Sequence, residues 1–326
     1  MEEIVSVDIG GTHARFALAE IEDGKVLRLG DPVTLKTAEH GSFQLAWEHF
    51  GSLVGRPLPK ALGMSIACPI EGEVLRLTNN PWIIRPALIP EKMHVDHYVL
   101  VNDFGAVGHA VAHCPPEYFL HLCGPDQPVS DARVVSVVGP GTGLGVGMVV
   151  RGHHGPEVVE TEGGHIDFAP IDPLEDRILD FLRKRYRRVS AERVASGPGL
   201  VNLYQALGII EGRPVHVDDD KALWAAAMEG SDSLAAAALD RFCLSLGGIA
   251  GDIALAQGAQ AVVMAGGLGL RLKDHLPTSG FANRFVAKGR FEGKMAAIPV
   301  KLITHPQPGL LGAAIAYAQA AKRGFN

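Results

Sequence analysis

Two stretches of the chain share one build, and this repetition constrains the fold more than any other feature. Residues 5–18 and residues 134–147 each place a Gly-Thr turn between two apolar strands. Glycines let a turn bring its backbone N–H groups close to an anion, and the threonine hydroxyl adds one more donor. The repetition therefore predicts two domains, each presenting a phosphate-binding hairpin to a shared cleft, which suits a nucleoside triphosphate.

The motifs of better-known nucleotide-binding folds are absent or incomplete. The sequence contains no G-x-x-x-x-G-K-[ST] stretch, which excludes a P-loop enzyme. Leu144 stands where the Gly-rich run at Gly139 would need the third glycine of G-x-G-x-x-G, and a strand is predicted where a helix should follow. A Rossmann dinucleotide site is therefore not expected. The triplet Asp103-Phe104-Gly105 has no His-Arg-Asp loop beside it, so its likeness to protein kinases is a chance match.

Composition is that of a soluble globular protein with room for two domains. The chain has 326 residues, of which 47% are hydrophobic and 20% charged. Its net charge of −6 gives no basic footprint for nucleic acid. The acidic N-terminus is not that of a signal peptide, and the apolar region 235–270 contains charges and glycines, so no membrane span is expected. Neither Gly-Thr turn contains lysine, so backbone donors and a divalent cation would supply the positive field.

No metal-binding pattern stands out among the cysteines or the acidic residues. The four cysteines form no C-x-x-C pair, so we expect buried or idle thiols in a reducing cytoplasm and no structural zinc. The run Asp218-Asp219-Asp220 precedes a predicted helix, and we interpret it as an N-terminal cap rather than a metal site.

Strand and helix signals place the chain in the α/β class, as a mixed sheet with helical cover. Besides the second hairpin, strands are predicted near residues 4–9, 14–20, 25–35, 61–66, 73–77, 98–102 and 261–265. Helices are predicted near residues 42–54, 103–113, 173–188, 198–208, 219–229, 232–257 and 309–322, with another following residues 266–269. A shift towards Gly, Pro and Asp over residues 124–131 indicates a domain boundary.

Asp103 is the first candidate for chemistry. It lies at the carboxyl end of a predicted strand, where α/β ligand sites collect, and its neighbour Asn102 offers both a donor and an acceptor. The alternative is that Asp103 only caps the helix that follows. The residues alone leave both interpretations open.

Three further carboxylates and one histidine are candidates for a ligand site. The Gly-rich loop 161–167 brings Glu162 and His165 together, and such groups can bind the hydroxyls of a polyol, although the loop could also be a polar turn. Glu192 could join them or simply pair with Arg193. Asp8 precedes the first Gly-Thr turn and could order magnesium-bound water, or merely end its strand.

Taken together, these segments resemble the bacterial glucokinase family, the type without a zinc motif, within the hexokinase–actin–Hsp70 superfamily. The resemblance runs almost from end to end. It rests on residues 8–15, 67–70, 77–79 (Leu77-Thr78-Asn79), 102–104, 141–146, 162–170, 190–193, 196–204, 265–267 and 308–312. The combination is specific, whereas no single segment would be.

The resemblance implies a two-domain actin-like ATPase (ribonuclease-H-like) fold with a cleft between the domains. Residues 1–113 with 305–326 would form a small α/β domain and residues 114–304 a large one. The implied activity is ATP- and magnesium-dependent phosphorylation of glucose at the 6-hydroxyl by a cytoplasmic homodimer. Asp103 would be the general base, and the groups expected to hold glucose are Asn102, Glu162, His165 and Glu192. The residues expected at the nucleotide are Asp8, Gly10, Gly11, Thr12, Gly141, Thr142, Gly143, Gly266 and Gly267.

Two departures from the family pattern lie beside the phosphate turns. His13 stands where the family commonly has asparagine, and Pro140 stands where a small residue is expected.

The alternatives to a glucokinase are a kinase of another hexose, such as fructose or mannose, and a non-catalytic ATP-binding module of the actin or Hsp70 type. The second alternative would not need Asp103 or the Glu162 loop.

Overall fold

The computed structural model describes residues 1–77 and 80–325. In that part of the chain the strands are β1 (Glu2–Ile9), β2 (His13–Glu22), β3 (Lys25–Leu29), β4 (Val33–Lys36), β5 (Ala61–Ile66), β6 (Leu75–Arg76), β7 (Ile83–Ile84), β8 (His97–Asn102), β9 (Phe119–Cys123), β10 (Val134–Pro140), β11 (Leu144–Gly152), β12 (Gly155–Thr161), β13 (Ala261–Met264) and β14 (Val300–Ile303). The helices are α1 (Phe43–Val54), α2 (Ile89–Met93), α3 (Asp103–His113), α4 (Pro173–Tyr186), α5 (Gly197–Ile210), α6 (Asp220–Glu229), α7 (Ser233–Gln257), α8 (Gly266–Arg271), α9 (Phe281–Val286), α10 (Glu292–Ala296) and α11 (Pro308–Arg323).

The chain forms two compact units, Met1–Cys114 together with His305–Asn326, and Pro115–Thr304. The sheet of the first unit has the strand order β3-β2-β1-β5-β8, with β4 also paired to β2. Strands β1, β5 and β8 are parallel, while β2 is antiparallel to β1 and completes the first Gly-Thr hairpin. The carboxyl ends of three parallel strands therefore meet at one edge of the sheet, where α/β proteins bind ligands.

Strand β1 shows how the sheet of the first unit is covered on both faces. Val5, Val7 and Ile9 belong to the apolar cluster that contains α1. Ile4 packs instead with residues of α11, and the next residue but one, Ser6, donates its hydroxyl to the Leu310 carbonyl of the same helix at 2.7 Å. Alternate residues of a strand face opposite sides of the sheet, so α1 and α11 cover opposite faces.

The second unit has its own sheet, with the order β12-β11-β10-β13-β14-β9. Its core includes buried residues of helices α4 to α7. Among the described residues, α7 is the one helix long and apolar enough to cross a membrane, but 67% of its apolar window is buried inside the unit. Phe242 and Leu246 of this helix are fully buried, which is the position of a core helix.

Several predicted elements have different bounds in the structure. The single strand predicted over 25–35 is two strands, β3 and β4, which both pair with β2 and are separated by residues 30–32, where Gly30 donates its N–H to the Leu18 carbonyl. The strand predicted over 73–77 covers only Leu75–Arg76, and α4 ends at Tyr186 rather than near 188. The acidic run before α6 acts as predicted, since Asp219 accepts a hydrogen bond from the N–H of Lys221 at 2.8 Å.

Helix α11 approaches its neighbours so closely that two positions require glycine. A Cβ atom on Gly312 would overlap the carbonyl oxygen of Ala106 in α3, and one on Gly63 of β5 would overlap the carbonyl oxygen of Ala313. Backbone atoms cannot move aside as a flexible side chain can, so a methyl group at either position would push α11 away.

We expect Gly312→Ala to destabilise the first unit by roughly 1–3 kcal/mol through overpacking. Gly51→Ala in α1 of the same unit is the matched control, because its Cβ would meet Leu58 at an ordinary 3.5 Å. Alanine normally stabilises a helix interior relative to glycine by about 0.5–1 kcal/mol. Thermal unfolding measures both changes, and equal midpoints for the two variants would contradict the packing described here.

Candidate active site

The first Gly-Thr turn joins β1 to β2, and its carbonyl groups are bound by other parts of the first unit. Asn80 Nδ2 donates to the Gly10 carbonyl at 3.0 Å, and Thr37 Oγ1 donates to the Gly11 carbonyl at 3.1 Å. The Thr12 carbonyl accepts the N–H of Thr37 at 3.0 Å. Because protein donors occupy the oxygen side of the turn, an anion would be recognised by its N–H side.

His13, one of the two departures beside the turns, contacts the threonine hydroxyl. Its Nδ1 lies 2.9 Å from Thr12 Oγ1. The backbone N–H of Gly10 donates to the His13 carbonyl at 2.9 Å and closes the turn. The histidine therefore orients the side chain that was predicted to bind phosphate.

Asp8 is the last residue but one of β1 and is held from three sides. Ser65 of β5 donates its hydroxyl to Oδ1 at 3.0 Å, and Arg15 donates to Oδ2 at 3.4 Å. A Cβ on Gly309, at the start of α11, would lie 2.7 Å from Oδ2, so only glycine leaves room for the carboxylate. Burial raises the pKa of Asp8 above its usual range, and the Ser65 hydrogen bond and the Arg15 charge oppose that rise.

Asn102 and Asp103 lie where β8 becomes α3. Asn102, not Asp103, is the N-cap: its Oδ1 accepts the N–H of Phe104 at 2.9 Å. The Asn102 amide also donates to the Cys68 carbonyl at 3.2 Å, which joins the ends of β5 and β8. Burial, followed by the Asp103 charge, raises the pKa of the Cys68 thiol. Asp103 Oδ1 also accepts the Phe104 N–H at 2.9 Å, so its carboxylate shares this N–H although Asn102 is the N-cap.

The second Gly-Thr turn joins β10 to β11 in the second unit. The N–H of Gly141 donates to the Gly143 carbonyl at 2.8 Å, and the Gly141 carbonyl accepts the N–H of Gly197 at 2.7 Å. Gly266 has φ +79°, and a Cβ there would lie 2.7 Å from the Pro140 carbonyl oxygen. The structure thus brings the predicted phosphate turn and the predicted adenosine-side glycines together, and Gly267 beside them borders open space.

The predicted sugar-binding side chains of the second unit converge on His165. Its Nε2 lies 3.8 Å from Glu162 Oε2, and its Nδ1 lies 3.7 Å from Glu192 Oε1. Glu192 also borders the second turn, since a Cβ on Gly143 would lie 2.9 Å from its Oε2. The alternative pairing of Glu192 with Arg193 is not what the structure shows, because the Arg193 guanidinium lies over the Tyr186 ring at 4.3 Å.

The loop that carries Glu162 and His165 is fixed rather than free. A Cβ on Gly164 would overlap the Leu144 carbonyl oxygen, so the loop lies directly on β11. Thr161 donates its hydroxyl to the Val146 carbonyl at 2.9 Å and accepts the N–H of Gly163. The two glycines of this loop therefore serve close packing and not flexibility.

Some residues of the site gave no signal in the sequence. Ser65 lies inside an apolar strand, where a serine gives no functional signal. Only the parallel register of β1 and β5 places it beside Asp8. Asn80 and Thr37 are distant in sequence from the turn that they hold. Of the resemblance motif Leu77-Thr78-Asn79, the last two residues lie outside the described residues.

In the described part of the chain, no group of three or more His, Cys, Asp or Glu side chains is placed to hold a metal ion.

Comparison with known proteins identifies the family. The glucokinase family model matches residues 5–320. The glucokinase of Zymomonas mobilis is 63% identical over 316 residues, which cover 97% of this chain and 98% of that protein. The glucokinase of Xanthomonas campestris pv. campestris is 39% identical, over 98% of this chain and 96% of that protein. The chain belongs to the glucokinase family. The family predicted from the motifs is confirmed, and with it a hexose kinase.

Solved structures agree with this assignment. A glucokinase from an Antarctic psychrotroph has a TM-score of 0.85 at 31% identity, covering 97% of this chain and 99% of that one. A ROK hexokinase from Thermus thermophilus has a TM-score of 0.66 at 20% identity, covering 99% of this chain and 100% of that one, and this likeness shows the fold alone. The predicted α/β, two-domain actin-like ATPase fold is confirmed.

Proposed function

We propose that the chain is an ATP-dependent glucokinase that phosphorylates glucose at its 6-hydroxyl. The observation that carries the proposal is the convergence of Glu162 and Glu192 on the two ring nitrogens of His165. Carboxylates accept from hydroxyl groups, and an imidazole can donate or accept. Such a group of side chains can bind neighbouring sugar hydroxyls. Family membership supports glucose as the sugar. A glucokinase from Balamuthia mandrillaris, which was solved in complex with glucose and has a TM-score of 0.78, supports it as well.

Asp103 is the proposed general base, and Asn102 is proposed to bind a glucose hydroxyl beside it. An aspartate carboxylate can accept a proton from a hydroxyl group. It is a weak base, but the proton needs to leave only as the sugar oxygen meets phosphorus in a loose transition state. The N-cap hydrogen bond from Asn102 fixes the chain direction at Asp103.

ATP is the proposed phosphoryl donor. The N–H groups of Gly10 and Gly141 close their turns, and we infer that other N–H groups of the two Gly-Thr turns bind the phosphates and that Gly266 and Gly267 lie near the adenosine. The ROK-family glucokinase of Streptomyces griseus was solved with glucose and AMPPNP, and its TM-score of 0.57 supports a shared fold. Asp8 would hold magnesium through water, since its carboxylate is oriented by Ser65 and Arg15 and hard oxygen donors suit that ion. When bound, the ion supplies charge stabilisation at the phosphates.

The remaining expectations belong to the same proposal. We propose a cytoplasmic homodimer that supplies sugar phosphate for glycolysis and binds neither nucleic acid nor membrane. The buried position of α7 supports the last point, and the net charge of −6 supports the absence of nucleic acid.

ADP release with ATP, measured across a panel of hexoses, tests the proposed function. We expect glucose to give the highest kcat/KM. A preference for fructose or mannose would assign a different hexose kinase, and a flat response across the panel would leave the ATP-binding module as the better interpretation.

The variant Asp103→Asn tests the general base. Asparagine keeps the shape and can still hydrogen-bond the hydroxyl, but it cannot accept the proton. We expect kcat to fall by at least about 10²-fold while glucose affinity changes little, because general-base assistance is worth roughly 10²–10⁴-fold. A folded variant with near-normal kcat would show that Asp103 has only a structural role.

The variants Glu162→Gln and Glu192→Gln test sugar binding. A site built to hydrogen-bond a hydroxyl discriminates strongly when one partner is changed, since buried polar groups are left unpaired. Glu192 has a side chain only 20% exposed, against 73% for Glu162, so we expect the larger rise in glucose KM for Glu192→Gln. Calorimetry should show ATP affinity unchanged in both. Normal glucose binding by both variants would contradict the assignment.

A further inference from the structure

A short turn, Ala191–Arg193, carries Glu192, and helix α5 contacts two residues of this turn and the residue that follows it. Ser196, the N-cap of α5, donates its hydroxyl to the Glu192 carbonyl at 2.6 Å. Asn202, six residues further along the chain, donates its amide to the Arg193 carbonyl at 2.8 Å. A Cβ on Gly199 would lie 2.8 Å from the Val194 carbonyl carbon, so the helix backbone itself lies against the turn.

The side chain of Asn202 is only 2% exposed and is committed at both ends. While its amide binds the Arg193 carbonyl, its Oδ1 accepts the Tyr186 hydroxyl at 2.9 Å and faces Arg185 Nη1 at 3.5 Å. A buried amide is costly unless its donor and acceptor are both paired. An apolar residue would fill the same space in the core without that requirement, so the amide serves the polar groups that it joins.

The Arg193 side chain completes this arrangement. Its guanidinium lies over the Tyr186 ring at 4.3 Å, while the hydroxyl of the same tyrosine donates to Asn202. The backbone and the side chain of Arg193 are therefore both fixed through Tyr186 and Asn202. The residue before it, Glu192, is the one that reaches His165 and the second Gly-Thr turn.

We infer that Asn202 is a positioning residue that fixes the Glu192 carboxylate for sugar binding. The inference rests on the proposed role of Glu192 and goes beyond it by naming the support of that carboxylate. Asn202 does not touch the sugar. It acts through the Arg193 carbonyl and so sets the direction in which the preceding side chain leaves the turn.

The test uses Asn202→Asp in the full chain. Aspartate has the same shape and can still accept from Tyr186 and Arg185, but it presents an oxygen to the Arg193 carbonyl in place of the N–H donor. Calorimetry without nucleotide should show glucose Kd raised about tenfold, since small displacements of a binding group are costly. The Kd of AMPPNP should stay within about twofold of the wild type.

The matched control is Gln205→Glu. Gln205 lies on the same helix and accepts from the same Arg185 at 2.7 Å, so this variant makes the same amide-to-acid change without touching the turn. Its glucose Kd should stay within about twofold of the wild type. An Asn202→Asp protein with a lower melting temperature but wild-type glucose Kd would overturn the inference, because Asn202 would then be structural only.

A milder pair covers the case in which Asn202→Asp does not fold. Tyr186→Phe removes the hydroxyl that binds Asn202 and keeps the ring under Arg193, while Tyr204→Phe removes a hydroxyl bound to Asp232 at 3.0 Å. We expect a weakening of glucose binding of about two- to fivefold for Tyr186→Phe alone. Equal glucose affinities for the two variants would overturn the inference.

A double variant separates the inference from the proposed function. With Glu192→Gln already present, Asn202→Asp should weaken glucose binding by less than about twofold more, because both changes act through one carboxylate. Fully additive effects would overturn the inference. If Glu192→Gln alone bound glucose normally, the proposed role of Glu192 would be wrong and the inference with it. If Glu192→Gln were impaired and Asn202→Asp were not, the inference alone would fail.

Discussion

The backbone-to-backbone packing of α11 is the constraint on which the first unit depends. This helix comes from the end of the chain and lies between α3 and β5, at the positions where Gly312 and Gly63 remove the side chain. Its first turn then borders Asp8 through Gly309 and accepts the Ser6 hydroxyl at the Leu310 carbonyl. The Asp8 carboxylate thus borders a segment about 300 residues away along the chain, and the second unit lies between the two parts of the first.

The parallel register of β1, β5 and β8 explains why chemistry-bearing residues collect at one edge. Asp8 pairs with Ser65, which pairs with Val101, and Ile66 pairs with Asn102. Asp8, Ser65 and Asn102 therefore belong to neighbouring positions although the sequence separates them widely. Burial raises the pKa of Asp8, and the Ser65 hydroxyl and Arg15 favour its ionised form, which is the form that a divalent cation needs.

The sequence was sufficient for the hairpins, most helices and the family, whereas the residues alone left open whether Glu192 joins Glu162 and His165 or pairs with Arg193. Glycines, caps and apolar periodicity are local signals. The helix ends predicted from them lie within one or two residues of the observed ends for α1, α3, α6, α7 and α11. The sequence was insufficient where two hydrogen-bonded residues are far apart along the chain. No local pattern shows that Ser65 binds Asp8, that Thr37 binds Gly11, or that Asn102 rather than Asp103 caps α3. The short strands β9 and β14 were not predicted, because four or five residues that mix polar and apolar side chains carry too little periodicity.

The N-terminal end of α5 connects two functions within the second unit. The N–H of Gly197 holds the carbonyl of Gly141 in the proposed phosphate turn, and the hydroxyl of the residue before it, Ser196, holds the carbonyl of Glu192. The Glu192 carboxylate in turn borders Gly143, so the turn and the backbone of Glu192 are both bound to one helix end. A side chain added at Gly143 or a shift of α5 would move both together. Phosphoryl transfer depends mainly on positioning, and a single rigid support for the proposed sugar carboxylate and the proposed phosphate turn meets that requirement.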